Sequence, residues 1–162
     1  MSESEAIRDK ARIYVDADAC PREHRELIQR AAQRLKLFVD LVANRFIATK
    51  SPYLRAVLVS AGADKADDWI AEHVAEGDIV ITADVPLAAR VVPLGALVIT
   101  PRGDTIDANN VGERLGIRDF LTDLRETGQF GGGPAPLSAR DKARFAAALD
   151  RHIVALNRSI EA

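Results

Sequence analysis

Short apolar runs alternate along the chain with stretches in which apolar residues recur every three or four positions. Arg12-Ile13-Tyr14-Val15 is short, β-branched and apolar, the signature of a buried strand. Pro21 then opens a helix in its first turn, where a missing N–H costs nothing. Leu27, Ile28, Ala31 and Leu35 line one face of that helix, which runs to about Lys36. A second strand is predicted over Leu37 to Ala43 and a third over Ala56 to Val59, with a polar link around Ser51-Pro52 that shows no helical period. Ala66, Trp69, Ile70 and Val74 predict a helix from Lys65 to about Ala75. Gly77-Asp78 turns the chain into a fourth strand, Ile79 to Thr82. A short helix from Pro86 to about Val92 leads to a fifth strand, Ala96 to Ile99.

Such alternation with short links predicts an α/β fold with a mostly parallel sheet of about five strands and right-handed crossovers. Past Pro101 the pattern becomes helical. Asn110 and Glu113 read as a capping box opening a helix to about Thr127. Gly128 to Pro136 reads as a mobile flap or linker, and Ser138 as the cap of a last helix bearing Phe145, Ala148, Leu149, Ile153 and Leu156. No repeat or internal boundary interrupts this series. One domain is expected over residues 12–158, preceded by a poorly ordered segment at 1–11.

Composition sharpens the picture in a few places. In 162 residues only 5% are aromatic against 48% hydrophobic, so the core must be mostly Ala, Val, Leu and Ile, which suits a parallel sheet under Ala-rich helices. The single cysteine, Cys20, excludes an intrachain disulfide and a cysteine zinc cluster. The opening MSESEAIRDKAR lacks the apolar core of a signal peptide, and no apolar stretch approaches a membrane span. A cytoplasmic location is the expectation. The formal net charge of −2 gives no bulk attraction to nucleic acid, so RNA binding would need a local basic face. Arg22, Arg25, Arg30 and Arg34 on the first helix, with Arg45 and Lys50 after the second strand, could form one; more often such residues are a solvated helix surface.

Ligands of parallel α/β sheets bind outside the carboxyl ends of the strands, so the residues that follow each strand are the candidates. Asp16 and Asp18 follow the first strand, Asn44 the second, Asp64, Asp67 and Asp68 the third, and Asp84 the fourth. Carboxylates gathered at one edge repel and raise one another's pKa unless a cation separates them. Hard oxygen donors in this number suit Mg²⁺ or Mn²⁺. Such ions activate water in phosphodiester cleavage. The structural alternative is that these acids serve helix ends: Asp84 as an N-cap before Pro86, Asp67 and Asp68 in a first turn. For Asp68 and Asp78 that alternative is preferred.

Arg102, after the fifth strand, could hold a phosphate at the same edge or pair with a nearby acid. Cys20 lies where a helix start can lower a thiol pKa, but it reads as a small packing residue. His24, His73 and His152 read as helix-surface positions. The glycine-rich loop lacks the Gly-Lys-Ser/Thr ending of a phosphate-binding loop.

The segments IYVDADACP, LVAN, GADKADDWIAEHV, GDIVITADVPLA, TPRG, and the GGGP loop followed by SARDKARFAAALD resemble the YaiI/YqxD family of bacterial proteins, also called UPF0178 or DUF188. The resemblance runs from about Arg12 to Ile153. That family is grouped with PIN-like domains, which implies a three-layer sandwich of parallel sheet between helices and a metal-dependent ribonuclease activity. By position the implied catalytic acids are Asp16 after the first strand, Asp67 within ADDWIA and Asp84 within ITADVPLA. The glutamate usual in the early helical region has no clear counterpart; Glu23 and Glu26 lie there, and Asp18 or Asp64 could replace it.

The expectation is therefore a Mg²⁺- or Mn²⁺-dependent nuclease. Asp16, Asp67 and Asp84 would be catalytic, Asp16, Asp18, Asp64, Asp67 and Asp84 the metal ligands, and Asn44, Arg45 and Arg102 the RNA contacts. One alternative is a PIN-like domain that binds RNA or protein without turnover. The other is a phosphatase of the haloacid dehalogenase type, since YVDADAC has the strand-then-Asp-x-Asp form. Against the latter, Gly77-Asp78 precedes its strand, and no lysine stands in an obvious supporting place.

Overall fold

Six strands form one sheet in the order β3-β2-β1-β4-β5-β6 in the computed structural model, which describes residues 11–62, 64–128 and 135–161. They are β1 (Ile13–Asp16), β2 (Val39–Ala43), β3 (Leu54–Leu58), β4 (Ile79–Ile81), β5 (Leu97–Ile99) and β6 (Thr105–Ile106). The first five are parallel, and β6 runs antiparallel to β5. Five helices are described: α1 (Arg22–Leu35), α2 (Lys65–His73), α3 (Val85–Val91), α4 (Val111–Glu126) and α5 (Ala139–Glu161). A 3-10 turn at Ala17–Ala19 leads from β1 toward α1.

Side chains on a strand alternate between the faces of a sheet, and two separate cores result. Ile13, Val15, Leu41, Ile81 and Ile99 pack with Ile28, Ala31 and Ala32 of α1 and with Phe145, Leu149 and Ile153 of α5. Tyr14, Val42, Val80 and Val98 face the other way, onto Ile70 of α2 and Leu87, Ala88 and Val91 of α3. This is the expected three-layer sandwich. The link from β2 to β3 contains no helix, yet Val39–Ala43 and Leu54–Leu58 pair in parallel along their whole lengths.

Several local expectations need correction. The sheet gains a sixth strand because the Thr100–Asp104 turn folds Thr105–Ile106 back onto β5; two residues are too few to show a period. Thr100 Oγ1 accepts from Asp104 N at 3.1 Å, and Gly103, at φ 90°, closes the turn. A Cβ at Gly103 would come within 2.6 Å of the Arg144 backbone on α5, so this turn requires glycine. The Asn110 capping box does not form. Its side chain instead accepts from Asp107 N at 3.0 Å and donates to Thr105 O at 2.9 Å, tying the turn before α4 to β6. Ser138 does cap α5: its Oγ accepts from Asp141 N, and Asp141 accepts from Ser138 N.

The histidines are not surface groups. His24 is 3% exposed, packs at a tilt against Phe145 with ring centroids 4.7 Å apart, and donates from Nε2 to Pro101 O at 2.8 Å. His73 and His152 are half-buried, the first stacked on Trp69 and the second hydrogen-bonded to Thr105. The segment expected to be poorly ordered, 1–11, lies outside the described residues except for Ala11. Residues 129–134 of the expected glycine-rich flap also lie outside them.

Candidate active site

The chain leaves β1 to one side for β2 and β3 and returns on the other for β4 and β5, so the strand order reverses between β1 and β4. A crevice outside the carboxyl ends of the strands is expected at such a reversal. Asp16 ends β1, and Thr82 follows β4 directly. Alternation places Asp16 on the same face as Tyr14, the face covered by α2 and α3. Those two helices bring Asp67, in the first turn of α2, and Asp84, at the N-cap of α3. Three acids far apart in sequence meet by this route.

Thr82, 2% exposed, organises two of them. Its Oγ1 donates to Asp16 Oδ2 at 3.1 Å and accepts from Asp84 N at 3.0 Å. Asp84 Oδ1 caps α3 by accepting from Leu87 N at 2.8 Å. Asp84 is thus both the helix cap of the structural alternative and a member of the cluster. The Asp67 carboxyl is pushed up to about 6. Burial is the largest cause, followed by the charges of Asp84, Asp16 and Asp64. Asp16 is also shifted upward, chiefly by burial and then by Asp84 and Asp18, against the lowering effect of the Thr82 hydrogen bond. These carboxylates are held near enough to one another for each to disfavour the charge of the next.

Asp16, Asp18, Asn44, Asp64 and Asp67 line a cavity of about 150 Å³, together with Lys65 and Ser60. Asp18 also has partners of its own, accepting from Asn44 N at 2.8 Å and pairing with Arg45 at 3.3 Å. Asn44 thus lines the acidic cavity, and Arg45 is joined to it through Asp18. Arg102 stands apart from it, paired with Asp141 at 3.1 Å and hydrogen-bonded to Ala135 O, as in the ion-pair alternative. Asp68 pairs with Arg90, and Asp78 accepts from Arg12 N and Ala75 N; both serve structure. Arg22 pairs with Glu26 and Arg34 with Asp150, which removes half of the first helix's arginines from a free basic face. Cys20 is buried, and burial pushes its thiol up to about 12, the opposite of activation.

The donor set fits a hard dication in kind. Among the described residues no three Asp, Glu, His or Cys side chains stand as a ready-made cage. Mg²⁺ does not demand one, since it keeps several waters and takes one or two carboxylates.

Three residues that sequence reasoning missed matter here. Thr82 was read only as the end of a strand. Lys65 brings an ammonium to the wall of the acidic cavity, although no lysine was expected in support. Asp40, 1% exposed on β2, pairs with the mostly buried Arg12 at 2.6 Å and the exposed Arg55 at 2.8 Å under the same face of the sheet.

A parallel α/β sandwich with an acidic cluster at its point of strand-order reversal defines the class of this protein. Residues 14–155 match the family described as uncharacterized BCR, YaiI/YqxD family, DUF188. The chain is 52% identical over 143 residues to a UPF0178 protein of Saccharophagus degradans, covering 88% of this chain and 95% of the relative. It is 52% identical over 141 residues to one of Geobacter sulfurreducens (86% and 93%) and 49% identical over 146 residues to one of Xanthomonas oryzae pv. oryzae (90% and 91%). No solved structure matches. The chain belongs to the YaiI/YqxD family. Among the described residues no helix is long and apolar enough to cross a membrane.

Proposed function

We propose that this protein is a divalent-metal-dependent phosphodiesterase acting on RNA, with Asp16, Asp67 and Asp84 as its working carboxylates. One observation carries the reading: Asp16, Asp67 and Asp84, from three separate stretches of the chain, meet at the strand-order reversal, where Thr82 ties Asp16 to Asp84 and burial with the charges of Asp84 and Asp16 raises the Asp67 carboxyl to about 6. Above that pH the three acids share excess negative charge that a dication would relieve. A bound Mg²⁺ or Mn²⁺ would supply that charge and activate water for attack on phosphorus. One or two of Asp16, Asp67 and Asp84 would hold it with water completing its shell, and Asp18 and Asp64 would line the cavity beside it.

The chain's own contributions follow from its contacts. Thr82 fixes the Asp16 carboxylate, and α3 fixes Asp84 through Leu87 N. Asn44 and Arg45 sit where a phosphate approaching the acids would meet a guanidinium. The test is cleavage of labelled RNA with Mn²⁺ by wild type and Asp16→Asn. Loss of cleavage in the variant supports the reading, and equal cleavage by both proteins ends it.

A second reading, binding without turnover, draws on the lack of a ready-made cage among the described residues. Calorimetry separates the two: Mn²⁺ and RNA binding without cleavage favours the second.

A further inference from the structure

Asp84 is flanked in sequence by Ala83 and Val85, and both line a second cleft of about 290 Å³. Ala19, next to Asp18, lines it too, so this cleft adjoins the acidic cluster through two of its members. Ile106 on β6 and Leu137 before α5 complete much of the apolar lining, and the guanidinium-bearing Arg102 and Arg114 border it. Around these, Arg102 pairs with Asp141, while Arg114 and Arg144 share Asp104. Among the residues that line the cleft, Arg102 and Arg114 against Asp104 leave it positive, the reverse of the acidic cavity. The turn beneath is rigid, since Thr100, Gly103 and Asp104 are hydrogen-bonded to one another and Gly103 is pressed against α5.

We infer that this cleft receives one unpaired nucleobase of the strand whose phosphodiester lies at Asp16, Asp67 and Asp84; the inference rests on the phosphodiesterase reading. Its volume lies near the lower end of small-molecule pockets, roughly 300–1,000 Å³, which suits a single planar ring and excludes a base pair. Apolar walls take the faces of the ring, and arginine planes stack on bases or reach the flanking phosphate. The substrate class is therefore single-stranded RNA, or a looped-out nucleotide within a folded RNA.

The experiment uses the full chain and three probes: 5′-AMP, ribose 5-phosphate and inorganic phosphate, followed by amide NMR shifts. The inference expects 5′-AMP to bind about tenfold tighter than ribose 5-phosphate or more, with shifts at Ala83, Val85, Ile106 and Leu137. Leu137→Glu, at a partly exposed position that does not endanger folding, and Ala83→Leu, which fills the cleft, should each weaken 5′-AMP by about tenfold. Both should raise KM for RNA more than they lower kcat. Equal binding of 5′-AMP and ribose 5-phosphate overturns the inference, as do shifts elsewhere or folded variants that bind like wild type. Asp16-dependent RNA cleavage with 5′-AMP ignoring the cleft sinks this inference alone. 5′-AMP seated in the cleft with no Asp16-dependent cleavage sinks the hydrolytic reading instead.

Discussion

Thr82 Oγ1 donates to Asp16 Oδ2 at 3.1 Å, joining the carboxyl ends of two adjacent parallel strands at the point where strand order reverses. The same hydroxyl accepts the amide of Asp84, so one side chain sets the positions of two acids. Thr82→Val keeps the shape and removes the hydroxyl. It leaves Asp84 N–H without its acceptor, a cost of about 1–3 kcal/mol. It also removes the hydrogen bond that holds the Asp16 pKa down. The Asp16 carboxyl should then titrate at higher pH by ¹³C NMR and RNA cleavage should fall, while Thr82→Ser restores both. An unchanged Asp16 titration in Thr82→Val would contradict the relay.

Asp67 makes stability depend on pH with a definite sign. Its folded pKa of about 6 lies above the ordinary 3.8, so the folded state binds the extra proton between those values. Stability therefore falls as pH rises through that window, and the cost is complete above it. Asp67→Asn removes the charge but not the shape. The variant should melt at a higher temperature than wild type at about pH 7.5 and gain nothing near pH 3.5. The same gain at both pH values would count against this assignment.

Asp40 is a buried carboxylate paired with Arg12 and with the exposed Arg55. Arg12 is itself mostly buried and also lies near the Phe38 ring, 5.5 Å from its centroid. Asp40→Ala strips the counter-charge from a buried guanidinium, a change that costs about 3–5 kcal/mol when a buried pair is broken. Urea unfolding should report a loss of that order. A loss within about 0.5 kcal/mol, the size of an ordinary surface substitution, would show that water relieves Arg12.

The sheet was legible because its strands are short β-branched runs whose alternation sorts side chains into two cores. The acids after β1 and β4 and in the first turn of α2 were legible for the same reason: strand ends of a parallel sheet share one edge. Thr82 was not, since nothing local marks a threonine that bridges two strands. Asp40 lies inside the strand predicted over Leu37 to Ala43 with nothing local to mark it, since its partners are 28 and 15 residues away along the chain. His24 could have been found. It falls one helical turn before Ile28, on the stripe that continues through Ala31 and Leu35, and that face is buried against α5. Asn110 misled because its side chain has nearer backbone partners in the turn than the helix end it precedes.

The central claim is that these carboxylates crowd one another until a dication separates them. It is tested most directly by a ¹³C NMR titration of the Asp67 carboxyl with and without Mg²⁺. Without metal the midpoint should lie at about 6. Saturating Mg²⁺ should lower it by about one pH unit or more, as an adjacent opposite charge does. A midpoint in the ordinary carboxylate range that Mg²⁺ leaves unmoved would contradict the account.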